Sequence, residues 1–195
     1  DRAHVAGMSM GGMIAQSVAA HYPDRVLTLT SIISTTGARK IGAAALSTKR
    51  RFAARPPRTR EEFIRDRVGM MRHLSGRVHP ADPAEEARAG GLAWDRGVYP
   101  DNGTARSRHL GAINASADRT ADLAGIKAPT LVIHGDRDPI VHPSGGAATA
   151  AAISGSRLVT VPGMGHYFHP AVVPELLRLM TGHFPAGRTP EEDAY

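Results

Sequence analysis

At 195 residues the chain suits one domain with a sizeable core and is too short for two independent enzymatic domains. Apolar residues at 42% and charged residues at 22% fit a soluble globular protein, no apolar run approaches the roughly 18 residues of a membrane span, and the absence of cysteine excludes disulfides and a thiolate nucleophile. The net charge of +6 draws on Lys49, Arg50, Arg51, Arg55, Arg58 and Arg60, but Phe52 is the sole aromatic among them, so the cluster reads as a solvated face and no nucleic-acid partner is expected.

In chain order, Arg2 to Ala6 reads as a short strand ending in a glycine-flanked turn, followed by a small-residue helix over Gly12 to Ala20. Tyr22-Pro23-Asp24 is a turn signal leading into a buried strand at Val26 to Ile33. The block from Gly37 to Ala117 changes character: it is helical and arginine-rich. Thr59 followed by Glu62 makes a capping box ahead of the apolar stripe Phe63, Ile64, Val68, Met71 and Leu74. Asp82-Pro83 starts a second helix, and Ala105 to Ala117 reads as a third. Alternation then resumes with a strand at Thr130 to His134, a helix at Gly146 to Ile153, a strand at Arg157 to Val161 and a helix at Val173 to His183. That order predicts an α/β fold with a parallel sheet. The expected division is a core of residues 1–36 and 118–184, a helical cap at 37–117 and a flexible tail at 185–195.

Gly7-Met8-Ser9-Met10-Gly11 is a G-x-S-x-G pentapeptide between a predicted strand and a predicted helix. Such a turn exposes the serine hydroxyl, and it places the Met10 backbone N–H at a helix N-terminus, where it can stabilise an oxyanion. A serine hydroxyl is a weak nucleophile until a base takes its proton, so the motif calls for a histidine and an orienting carboxylate. The strand ending at Ile133-His134-Gly135 runs into a loop carrying Asp136 and Asp138, and the strand ending at Val161 runs into Pro162-Gly163-Met164-Gly165-His166. Both lie past the carboxyl ends of their strands, where open parallel sheets gather functional groups. The chain order is Ser, Asp, His. His134, at the end of an apolar strand, reads as structural. Among His4, His166 and His169 no metal-binding spacing exists, and neither a metal nor a cofactor is expected.

The pentapeptide, the segment Ala19-Ala20-His21-Tyr22-Pro23-Asp24-Arg25-Val26, the strand Ala128 to Gly135 and Pro162-Gly163-Met164-Gly165-His166 together resemble the α/β-hydrolase superfamily. Within it the chain looks most like small-molecule ester hydrolases of the aclacinomycin methylesterase and enol-lactonase kind. The resemblance implies a Ser9, His166, Asp138 triad, because the acid of such families sits in a Gly-x-x-Asp pattern that Asp138 matches; Asp136 is the second choice. It also implies that the helical block covers the site, with Met70, Met71, Trp94 and Tyr99 as pocket lining for a small hydrophobic ester. Hydrolases of this kind place several strands before the serine, so the chain is expected to be the C-terminal portion of the fold. Its first strand would then be an exposed sheet edge that favours a homo-oligomer. Lactonase and haloperoxidase-like chemistry use the same triad, and a non-catalytic binding or remnant module is the alternative from another class. No membrane partner is expected. The opening residues lack the features of a secretion signal, and the compartment expected is the cytoplasm.

Overall fold

The computed structural model describes residues 1–97 and 104–184; Tyr99 and the segment 185–195 lie outside them. The chain runs β1 (Ala3–Met8), α1 (Met10–His21), a 3-10 turn (Pro23–Arg25) and β2 (Val26–Ile32). Five helices follow: α2 (Leu46–Phe52), α3 (Arg60–Ser75), α4 (Pro83–Asp95), α5 (Thr104–Ala115) and the single turn α6 (Thr120–Leu123). The core resumes with β3 (Thr130–Gly135), α7 (Ser144–Ala152), β4 (Arg157–Val161) and α8 (Val173–Thr181). The four strands form one parallel sheet in the order β1-β2-β3-β4. Every strand therefore ends on the same side of the sheet.

β2 and β3 are buried almost throughout, as their apolar and β-branched residues require. Leu29 and Ile32, three positions apart on β2, face opposite sides of the sheet. Leu29 joins Ala15, Ala19, Val26, Leu123, Ile126 and Ile153, a cluster that brings in α1 and α6. Ile32 joins Leu131, Ile133, Val161, Leu176 and Leu179, where α8 packs. The alanines of α1 and α7 keep those helices close to the strands, and Gly146 lies where a Cβ would press on the His134 ring. β1 and β4 are the edges, with Ala3, His4 and Ala6 exposed on the first and Arg157 and Leu158 on the second.

The helical block leaves the sheet after β2, and its two ends meet: Arg119 N–H donates to the Thr36 carbonyl at 2.9 Å, and the Arg119 guanidinium donates to the Thr35 carbonyl at 3.0 Å. Thr59 caps α3 by accepting from the Glu62 N–H, while the Glu62 carboxylate reaches Arg58 N–H instead of Thr59's own. Asp82 caps α4 by accepting from the N–H groups of Ala84 and Glu85, ahead of Pro83 in the first turn.

Candidate active site

β1 passes into α1 through Ser9, whose φ of 55° and ψ of −120° lie outside the regions an L-residue ordinarily adopts. Strain of this kind costs on the order of 1–3 kcal/mol and persists only where the surroundings over-determine it. Here the surroundings are visible. Ser9 N–H donates to the Ile32 carbonyl at 2.9 Å, the Ser9 carbonyl accepts from Met13 N–H at 3.1 Å, and the buried Ser34 hydroxyl donates to the same carbonyl at 2.9 Å. Ser34 is aimed there by a second outlier, Ile33, at φ 42°. Of the two motif glycines, only Gly7 is sterically required: a Cβ on it would collide with the Gly11 carbonyl, whereas a Cβ on Gly11 would meet nothing within 4 Å. Gly12, outside the motif, is the one pressed on Ser34. The Ser9 hydroxyl makes no hydrogen bond among the described residues, and Met10, the first residue of α1, has an N–H with no intrahelical acceptor.

Asp138 and His166 come together beyond the ends of β3 and β4. His166 Nδ1 stands 2.6 Å from Asp138 Oδ2, while Asp138 Oδ1 accepts from the N–H groups of Ile140 and Val141 at 2.8 Å each. Both residues are nearly closed to solvent, at 6% and 7% exposure. With a carboxylate as its only acceptor, Nδ1 carries the ring proton, which leaves Nε2 of the neutral imidazole able to accept one. Asp136 is engaged elsewhere: its Oδ1 accepts from Gly163 N–H at 2.7 Å. His134 donates from Nε2 to the Val141 carbonyl at 2.9 Å, and burial holds its imidazole below the usual histidine range. Its Nδ1 is buried without a partner, which suits the neutral, unprotonated nitrogen of that tautomer. Among the described residues no cluster of His, Asp or Glu could hold a metal ion.

Several functional candidates carry no sequence motif. His166 N–H donates to the Leu74 carbonyl at the end of α3, and the neighbouring Tyr167 hydroxyl donates to Glu86 Oε1 on α4 at 2.7 Å. Glu86 is buried, and its other oxygen stands 2.7 Å from Arg67 Nη2. Burial, with Glu86 beside it, pushes the Tyr167 phenol up to about 12. On the acid side, the Pro139 carbonyl accepts from Ala45 N–H and from the Thr48 hydroxyl, and Thr48 in turn accepts from His73 Nε2 at 2.7 Å. The helical block is thus bonded to the loops of both Asp138 and His166.

An apolar cavity of about 550 Å³ begins at Met10 and follows α1 through Met13 and Ile14, with His109 and Ile113 of α5 opposite. Ser9, Asp138 and His166 do not line it, and neither do Met70, Met71 and Trp94. Met70 is buried, and the Trp94 ring lies 5.8 Å from the Phe63 ring, tilted by 47°, between α3 and α4. Tyr99 lies outside the described residues.

The sequence profile of the alpha/beta hydrolase fold matches residues 1–170. The chain belongs to the alpha/beta hydrolase fold family. Among curated relatives it is 32% identical to rhodomycin D methylesterase DauP of Streptomyces sp. (strain C5), over 93% of this chain and 66% of that protein. Among solved structures it resembles the enol-lactonase from Burkholderia xenovorans LB400, at 26% identity and a TM-score of 0.66, covering 93% of this chain and 65% of that one. It also resembles the meta-cleavage product hydrolase from Pseudomonas fluorescens IP01, at 19% identity and a TM-score of 0.69, a likeness of fold. The chain spans just under two thirds of the length of the relatives it matches. Among the described residues no helix is long and apolar enough to cross a membrane.

Proposed function

We propose that the protein hydrolyses a small hydrophobic carboxylic ester through Ser9, His166 and Asp138. His166 Nε2 takes the Ser9 proton as Oγ attacks the ester carbonyl, and Asp138 stabilises the imidazolium that forms. Met10 N–H receives the developing oxyanion, as an unpaired donor at a helix N-terminus can. Collapse of the tetrahedral intermediate releases the alcohol with the proton from His166. Water, deprotonated by the same imidazole, then frees the acid and restores Ser9.

The observation that carries this reading is the 2.6 Å contact between His166 Nδ1 and Asp138, on the same side of the sheet as a serine held in a strained turn with its hydroxyl free. Support also comes from the methylesterase relative. The helical block, bonded to both loops of the triad, acts as the cap. The test is turnover of methyl, aryl and lactone esters of increasing acyl length by the chain and by Ser9→Ala. Turnover that vanishes in Ser9→Ala without loss of fold supports the proposal. Preference for lactones would redirect it within the same triad, and a folded chain with no turnover would favour a binding module.

A further inference from the structure

The basic cluster of the helical block has a structured side. The end of α2 and the second half of α3 enclose a cavity of about 820 Å³ lined by Arg51, Arg72, His73 and Arg77, with two glycines and Pro80 completing the wall. No carboxylate lines it. Elsewhere in the same block Arg60 pairs with Asp95, Arg67 with Glu86 and Arg88 with Glu85. The guanidinium groups of Arg51, Arg72 and Arg77 make no ion pair or hydrogen bond among the described residues. Like charges in one concavity repel, and the partial negative charge at the C-terminus of α3, about half a unit, is small beside three guanidinium groups.

Arg51 is also placed. Its Nη1 is 3.6 Å from where a Gly69 Cβ would stand, so the guanidinium of this exposed residue lies against α3. His73 beside it is fixed at one end: Thr48 Oγ1 gives its proton to the Pro139 carbonyl and so accepts from His73 Nε2–H, leaving Nδ1 as the free ring nitrogen. Burial and the Arg51 charge hold His73 below the usual histidine range, which places the guanidinium and the ring within each other's field.

We propose that this groove, lined by residues other than those of the ester-cleaving site and joined to the Asp138 loop through His73 and Thr48, binds a phosphate group carried by a small soluble molecule. The number of cations sets the class of ligand. A single carboxylate engages one guanidinium fork and leaves two cations facing each other, whereas a phosphate or pyrophosphate presents enough oxygens and charge for all three. The volume accommodates a body of ordinary metabolite size behind that group. The lining holds no Phe, Tyr or Trp on which a base could stack, which argues against single-stranded nucleic acid as the occupant.

The test is calorimetric titration of the 195-residue chain with pyrophosphate at low ionic strength, with the His73 ring followed by NMR. One saturable site is expected, with the His73 resonances moving in step. Arg51→Gln and Arg72→Gln should each weaken binding about tenfold or more, the scale of a lost charge-assisted hydrogen bond. Arg50→Gln, on the same helix but absent from the cavity wall, should change it by no more than about twofold, as for an exposed charge. Absence of saturation, an unmoved His73, or an equal loss in Arg50→Gln would overturn the proposal. So would tighter binding of a single-stranded oligonucleotide to the same arginines. Capture by phosphatidylcholine vesicles carrying phosphatidate, lost in the same variants, would assign the groove to a lipid headgroup and overturn the soluble source.

Discussion

The two oxygens of Asp138 are not equivalent. Oδ1 is committed to two backbone N–H donors, so an asparagine at this position must keep its carbonyl there and turn its NH2 toward His166. The imidazole then accepts at Nδ1 and carries its proton on Nε2, where it can no longer take one from Ser9. Asp138→Asn should therefore lower turnover by about 10⁴ with the fold intact, the loss seen when a triad carboxylate elsewhere is so changed. Asp136→Asn keeps an oxygen for Gly163 N–H and should be mild. Steady-state kinetics on the two variants checks the ranking, and the reverse order contradicts it. Acid should also weaken the fold through His134, whose folded pKa is depressed by burial. The unfolded chain then binds more protons below the ordinary histidine value near 6.5, so stability is present above that pH and lost as pH falls through it. His73 shifts in the same direction. Urea unfolding between about pH 8 and 5 should show the decline, and His134→Gln should flatten it. The turns that carry Ser9, Asp138 and His166 were legible in sequence because glycine marks each of them after a strand. Ser34 and Ile33 were not, since their role depends on where β2 ends beneath the serine turn.

At the scale of elements, what was legible is what local chemistry dictates. The caps of Thr59 and Asp82 locate α3 and α4, and buried β2 and β3 read as apolar runs. α2 was not separately legible: it is short, has three consecutive basic residues and lacks a capping side chain. Its support is tertiary, through Thr48 to Pro139 and His73. Which apolar residues of α3 and α4 would face a substrate was not legible, because an apolar residue there can face its partner helix as readily as a pocket. The bond from Tyr167 to buried Glu86 makes the helical block a positioning element for the adjacent His166. Tyr167→Phe should lower stability by about 1.5–3 kcal/mol, as for a hydrogen bond to a charged group. It should also reduce kcat more than it changes KM. In a Glu86→Gln background the stability cost should shrink, because the charged acceptor has gone; urea denaturation of the four proteins measures this, and additive costs would count against the coupling.

Across the whole molecule, the parallel topology carries the functional reading. Ser9 and His166 are separated by most of the sequence, yet four parallel strands in chain order bring the loops after β1, β3 and β4 to one side of the sheet. The same topology leaves β1 with a neighbour on one side only among the described residues, and Ala3, His4 and Ala6 exposed. An edge of this kind recruits other strands. Sedimentation velocity over a range of concentrations should show self-association that Ala3→Lys weakens; a monomer at every concentration would remove β1 as an interface. The central claim, that the three loops build one serine-hydrolase site, is tested most directly by mapping a fluorophosphonate label on the folded chain by mass spectrometry. A single adduct at Ser9 is expected, lost on unfolding and strongly reduced in His166→Ala. An adduct at another serine, or undiminished labelling of Ser9 in His166→Ala, would contradict it.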